Sequence, residues 1–288
     1  MKPAPFDWHA PDSVAEALAL KAQHGEAARF LAGGQSLVPA MNFRVSQPAV
    51  LVDLNRVGLE AIEAGTDGSL TIGAMARYVA IERHAGAAGS HPILTEALRE
   101  VAHPQIRNRG TLGGNLSHAD PASEMPAVML ALNARLRLRS ARGMREVAAA
   151  DFFVGPLTTA LAADEMLEAI HLPALPARTG TAWLEIARRR GDYAMMGVAA
   201  VISRDAAGRC IGARIACCSA GPTPMAAPLA AAALVGTMLS DADLDAAAEA
   251  VRKEVAPTGS VQASPAYQRH LAGVIAQRAL LMARERAA

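Results

Sequence analysis

Two short glycine-centred segments carry the chemistry most readily read from this sequence: Ala32-Gly33-Gly34-Gln35-Ser36 and Thr111-Leu112-Gly113-Gly114-Asn115. Glycine has no Cβ, so backbone N–H groups around it can approach an anion closely, and such donors at a strand-to-helix turn are a recurrent phosphate cradle. A tight turn followed by a serine cap is the ordinary use of Gly-Gly-x-Ser, and an asparagine such as Asn115 also serves left-handed turns. Taken together, the two segments suit a pyrophosphate, whose two phosphates can be gripped from two sides. Arg107 and Arg109 lie just upstream of the second segment. Neither segment has the G-x-G-x-x-G spacing of a Rossmann dinucleotide site.

Other chemistry is thin. His118 and Asp120 lie near the second segment, but two such groups two residues apart make no metal site without further partners, and no metal is expected. Cys210, Cys217 and Cys218 are too few for a four-cysteine iron–sulfur cluster. The adjacent pair sits in an apolar strand and faces opposite sides, as buried structural thiols would. An odd, sparse cysteine set fits a reducing compartment, so a cytoplasmic location is expected. No Ser, His and Asp set has a recognisable nucleophile context. Lys plus Arg at 28 against Asp plus Glu at 27 gives a net charge of +1, so no general field draws the molecule to nucleic acid or an anionic membrane. Any bound anion must be met locally.

These segments need elements to position them, and the composition allows it: 52% hydrophobic and 19% charged residues describe a chain able to bury a core over its 288 residues. The N-terminus, with Asp7 and two prolines, lacks the apolar run of a signal peptide, and Met225–Leu239 is too short to span a bilayer. Ser13 with Glu16 three residues on predicts a capping box opening a helix along Val14, Ala17, Leu18 and Lys21, stopped at Gly25. Ala28–Leu31 and Ala49–Leu54 read as strands around the first glycine segment, a compressed βαβ-like unit. Further strands are expected at Gly68–Gly73 and Ala134–Arg139, and helices at Pro92–Val101 and Pro126–Leu132. Pro173–Thr181 carries two prolines and a glycine, which places a domain boundary there. Beyond it, Gly197–Ser203 and Cys210–Ser219 form a hairpin around Asp205–Gly208. Three helices follow, near Ala226–Val235, from Ser240 and from Ser264-Pro265. Strands followed by helices make the class α+β.

The ordered set Ala-Gly-Gly-Gln-Ser-Leu-Val-Pro at 32–39, Thr-Leu-Gly-Gly-Asn at 111–115 and Arg-Arg-Gly-Asp-Tyr-Ala at 189–194 resembles the FAD-binding medium subunit of molybdenum-containing hydroxylases, as in aerobic carbon monoxide dehydrogenase and xanthine dehydrogenase. Ser264–Leu271 is similar to the opening of the last helix in these subunits, so the likeness spans the chain. The resemblance implies a two-subdomain FAD-binding fold of the PCMH/vanillyl-alcohol-oxidase type over residues 1–176, with subdomains of about 1–57 and 58–176. It also implies a C-terminal domain over 177–288, built from a three-stranded antiparallel sheet and a three-helix bundle.

By the same resemblance, Ala32, Gly33, Gly34, Gln35 and Ser36, with Thr111, Leu112, Gly113, Gly114 and Asn115, hold the FAD pyrophosphate. Glu124 stands where the family has an acid, more often Asp, that holds a ribose or ribityl hydroxyl. Leu167 lies beside the isoalloxazine through its backbone, or is an ordinary core leucine. Tyr193 packs on the ring face, a use that fits one of only ten aromatic residues in the chain. Asp192 is given no chemistry. The implied function is electron transfer: FAD takes electrons from a small subunit with two [2Fe-2S] clusters and passes them to an external acceptor. A large molybdopterin subunit carries the hydroxylation, commonly in a dimer of heterotrimers. The alternatives are a free-standing FAD oxidase or reductase of the same fold, and a non-catalytic assembly partner.

Overall fold

The computed structural model describes residues 2–287. Its first layer is a parallel three-stranded sheet of order β1-β3-β2, from β1 (Asp7–His9), α1 (Val14–His24), β2 (Ala28–Leu31), α2 (Leu37–Asn42) and β3 (Val50–Asp53). Parallel strands need a crossover, and α2 supplies it in one and a half turns, so the first glycine segment is forced into the tight β2–α2 turn. Ser13 caps α1 by accepting from the Glu16 N–H at 3.2 Å. The expected box is modified: the Glu16 carboxylate accepts from Asp12 N–H, not from the cap residue. Gly25 ends α1 at a φ of 53°, as expected. Lys21 is buried, and its ammonium donates to the Gly25 and Ala28 carbonyls at 2.7 and 2.8 Å, which ties α1 to β2.

The second unit begins with β4 (Ile62–Ala64), β5 (Leu70–Gly73), α3 (Tyr78–Arg83), α4 (Ala85–Ser90), α5 (Pro92–Glu100), α6 (Pro104–Arg107) and α7 (Leu112–His118). It continues with α8 (Glu124–Ala131), β6 (Arg135–Ser140), β7 (Gly143–Ala148), α9 (Ala149–Phe152), β8 (Phe153–Gly155), β9 (Thr158–Thr159) and β10 (Met166–Leu172). A five-stranded sheet of order β4-β5-β10-β6-β7 backs the helices. The strict alternation of Leu136 and Leu138 with Arg135, Arg137 and Arg139 puts the leucines into the core. The later β10 inserts between β5 and β6, pairing antiparallel with both.

The C-terminal part has β11 (Thr179–Ala187), β12 (Ala194–Arg204), β13 (Cys210–Cys218) and β14 (Met225–Ala226), then α10 (Pro228–Leu234), α11 (Asp241–Glu254) and α12 (Pro265–Arg286). Its sheet has four strands where three are expected: the two-residue β14 folds back onto β13, pairing Ala226 with Ala216 and Met225 with Cys217. The proline- and glycine-rich stretch expected as linker ends early, because β11 already starts at Thr179. Ser240 and Asp243 form a full capping box on α11, and Ser264 caps α12 by accepting from Tyr267 N–H. This sheet is buried on both faces. Trp183, Ala199, Val201, Ala216 and Cys218 join the core of the second unit, while Ala182, Val198, Ala200, Ile202 and Cys217 face α10–α12. Two covered faces explain why Val198–Ile202 is continuously apolar.

Candidate functional site

The fold brings the two glycine segments into contact. A Cβ on Gly33 would overlap the Arg109 carbonyl oxygen and stand 2.8 Å from Gly110 Cα, and one on Gly114 would stand 3.2 Å from Ala32 Cβ. Arg77 braces the junction, its guanidinium donating to the Arg109 carbonyl and the Asn55 side-chain oxygen. Burial and the neighbouring Arg109 lower the Arg77 pKa. Arg107 is engaged elsewhere: it donates to the Val101 and Ala102 carbonyls and pairs with Glu82. Arg109 presents an exposed side chain.

The two segments differ in what they offer. Among the described residues, the backbone N–H groups of Gly33, Gly34, Gln35 and Ser36 have no acceptor in the protein. Gly34 holds φ at 75°, a left-handed conformation that turns successive N–H groups toward one concavity. The second segment is helical rather than a loop, because Thr111 caps α7 and Leu112–Asn115 form its first turn. Asn115 is therefore right-handed, and Ala119 takes the left-handed position at the helix end. Its donors are taken: Leu112 N–H by Ala76 O, Gly113 N–H by Ala74 O, Gly114 N–H by Thr111 Oγ1 and Asn115 N–H by Thr111 O. The first segment thus has free backbone donors, whereas those of Leu112–Asn115 are occupied within the protein. Gly113 and Gly114 serve close packing, a Cβ on Gly113 falling 2.5 Å from Ala74 Cβ.

Glu124 opens α8. The Asn115 amide donates to Ser123 Oγ at 3.0 Å, which locks the α8 cap to α7. Glu124 is 6% exposed, and no donor from another residue reaches its carboxylate among the described residues. Burial first, then Glu185, pushes its carboxyl up to about 8. Tyr78 is buried with its ring against Gly110, and its hydroxyl has no hydrogen-bond partner. Asn115 Oδ1 is likewise buried and unpartnered. Buried polar atoms are nearly always satisfied, so these two are places a hydroxyl-bearing ligand would fit; Glu168 Oε2 and Thr181 Oγ1 are buried and unpartnered as well. With the four free donors of Gly33–Ser36, the residues fit a ligand carrying both phosphate and hydroxyl groups.

Tyr193 follows the tight turn Arg189–Asp192, whose Gly191 packs on the His103 ring and the Ala102 carbonyl. Tyr193 is 60% exposed, an uncommon position for one of so few aromatics. Desolvation, then Asp120 and Glu124, raise its hydroxyl pKa. Leu167 is 4% exposed in the core, beside a bulge in β10 between Leu167 and Ala169, where the Glu168 carbonyl accepts from Ala74 N–H. Tyr78, Arg77 and Glu185 escaped sequence reading. An isolated tyrosine after Met-Ala-Arg was the available signal for the first; the others depend on contacts far along the chain.

The FAD binding domain of molybdopterin dehydrogenases matches residues 4–175, and the CO dehydrogenase flavoprotein C-terminal domain matches residues 181–283. The chain is 40% identical over 288 residues to the 6-hydroxypseudooxynicotine dehydrogenase complex subunit alpha of Paenarthrobacter nicotinovorans, covering 100% of this chain and 97% of that one. It is 40% identical over 289 residues to the carbon monoxide dehydrogenase medium chain of Afipia carboxidovorans, covering 100% and 99%. Its fold matches carbon monoxide dehydrogenase of Hydrogenophaga pseudoflava lacking the Mo-pyranopterin moiety, with a TM-score of 0.97, 38% identity and full coverage of both chains. The chain belongs to the FAD-binding subunits of molybdenum hydroxylases. It is an oxidoreductase subunit, and among its described residues no helix is long and apolar enough to cross a membrane.

Proposed function

We propose that this chain is the electron-transfer flavoprotein of its complex, taking electrons from a [2Fe-2S] small subunit and delivering them to an external acceptor. One observation carries the reading: the four free N–H groups at Gly33–Ser36, held against the second glycine segment. FAD, when bound, supplies a centre that exchanges electrons singly or in pairs. Gly33, Gly34, Gln35 and Ser36 bind the pyrophosphate through their N–H groups. Ala32 and Thr111, Leu112, Gly113, Gly114 and Asn115 shape the opposite wall. Glu124 would hold a ribose or ribityl hydroxyl, and Tyr193 and the Leu167 backbone would lie at the isoalloxazine, Tyr193 excluding water from it.

The division into 1–57, 58–176 and 177–288, the dimer of heterotrimers with a molybdopterin large subunit, and a cytoplasmic site belong to the same reading. With three buried cysteines and no iron–sulfur ligand set of its own, the chain depends on a partner for electrons. The test is anaerobic stopped-flow absorbance. The isolated, FAD-loaded chain should stay oxidised with candidate hydroxylase substrates, bleach with dithionite, and respond to substrate once the two partner chains are added. Rapid bleaching of the isolated chain by an organic substrate would overturn the reading and favour a self-contained flavoenzyme.

A further inference from the structure

Three helices of the second unit end around one cleft. Arg83 closes α3, Arg99 lies in the last turn of α5, and Arg107 closes α6. Together with Val79, Glu82, Pro104 and Asn108 they line a cleft of about 400 Å³. A basic residue in the last turn of a helix is ordinary, because it meets the negative end of the helix dipole. That preference does not explain why three helices deliver their terminal arginines to the same cleft.

The charges in the lining do not cancel. Glu82 is its one acid, and its carboxylate is committed to Arg107 Nε at 3.4 Å. Arg107 is held further by the Val101 and Ala102 carbonyls, which accept from its Nη1 at 3.0 and 3.2 Å. Arg83 and Arg99 are exposed, and among the described residues neither forms an ion pair or a side-chain hydrogen bond. Glu100, next to Arg99 in sequence, pairs instead with Arg190 at 3.8 Å. Three cations against one anion leave the lining with a surplus of +2, in a chain whose net charge is only +1.

We propose that this cleft binds the phosphate monoester of a small organic molecule. A phosphate monoester carries about −1.5 to −2 charges at pH 7, which matches the surplus; a single carboxylate carries one. The free guanidinium forks of Arg83 and Arg99 suit phosphate oxygens taken two at a time. The volume exceeds the need of a bare phosphate and falls within the ~300–1,000 Å³ of small-molecule sites. Val79 and Pro104 supply apolar wall for the organic part, and Asn108 an amide. The two residues after Asn108, Arg109 and Gly110, meet Gly33. The cleft therefore adjoins the glycine junction while sharing no lining residue with it, and the inference does not depend on the electron-transfer reading.

Isothermal titration of the FAD-loaded chain with AMP and with inorganic phosphate tests the site, FAD occupying the N–H groups of Gly33–Ser36 that would also take a phosphate. At low salt AMP should bind with a dissociation constant below about 1 mM, more tightly than inorganic phosphate, and weaken as salt rises. Arg83→Ala and Arg99→Ala should each lower the AMP affinity by roughly tenfold. Both side chains are exposed and unbonded, so folding should persist. Arg135→Ala, which removes an exposed arginine of β6, should leave the affinity unchanged. Absence of AMP binding, or equal affinity in wild type and both cleft variants, overturns the site. An equal loss in Arg135→Ala makes it a general surface-charge effect and overturns it as well. Inorganic phosphate binding as tightly as AMP overturns the organic ester. If the chain does not load FAD, the flavin reading fails, and the same titrations of the apo chain still judge the cleft, because only binding there responds to Arg83 and Arg99.

Discussion

Gly33→Ala tests the junction between the two glycine segments most sharply. The added Cβ would overlap the Arg109 carbonyl oxygen and stand 2.8 Å from Gly110 Cα, and both neighbours are backbone that cannot rotate away. Overpacking of this kind costs ~1–3 kcal/mol. The chain can respond in two ways. If the β2–α2 turn moves outward, the N–H groups of Gly33–Ser36 leave their arc and FAD affinity falls by roughly 5- to 150-fold. If the turn stays, the cost falls on folding and the melting temperature drops by about 2–4 °C per kcal/mol. Flavin fluorescence quenching against apo protein measures the first, and thermal unfolding without FAD the second. Gly89→Ala is the control: Gly89 lies in α4 with nothing within 4 Å of its Cβ position, so affinity should hold and stability rise by ~0.5–1 kcal/mol. Unchanged affinity together with unchanged melting in Gly33→Ala would refute the close approach of the two segments.

Tyr193→Ala should change the absorbance and reduction behaviour of bound flavin while sparing the fold, because the residue is 60% exposed and stacking adds only ~0.5–1.5 kcal/mol; an unchanged spectrum and midpoint would place it off the ring. Glu124 ionises at about 8 in the fold against 4.5 as the ordinary value. The unfolded chain therefore binds fewer protons between those limits, and stability must fall as pH rises through them, by at most roughly 1.4 kcal/mol per pH unit for this group. Urea unfolding from about pH 5 to 8 should show a shallower fall in Glu124→Gln, and parallel slopes would remove the buried-acid argument. Burial pushes the Cys217 thiol up to about 12 and holds the Cys218 thiol well above its ordinary range, so iodoacetamide should leave both unmodified in the native chain. Labelling at the rate of a denatured control would contradict their burial.

Elements were legible where a start and a stop signal bracketed one period. Ser13 and Gly25 bracket α1, Ser240 opens α11, Ser264-Pro265 opens α12, and alternating Leu and Arg make β6. The Asp205–Gly208 turn between β12 and β13 closes as the sequence suggests, with Gly208 N–H on the Asp205 carbonyl. Strand β10 was illegible because its polar residues meet distant partners: Glu168 Oε1 accepts from Arg139 at 2.6 Å and His171 pairs with Thr71 at 3.3 Å. The exposed edge strand β7 presents no apolar face to reveal its period. Helix α7 hid behind its glycines, since their low helix propensity is overridden by the Thr111 cap and by packing on Ala74. Of the site, the glycine segments and Tyr193 were visible as motifs. Tyr78 was not, because its significance comes from burial against Gly110, 32 residues further along the chain.

A chain of net charge +1 that must hold a doubly charged bridge has to choose between side-chain cations and backbone dipoles. The cations nearest the junction are mostly engaged: Arg77 with Asn55 and the Arg109 carbonyl, Arg107 with Glu82 and two carbonyls. The donors left free are the N–H groups from Gly33 to Ser36. Backbone donors fixed by a left-handed Gly34 need no rearrangement to meet an anion, and they add no net charge to the site. With Arg77 and Arg107 committed elsewhere, the free backbone dipoles of the first segment are what would meet such a bridge.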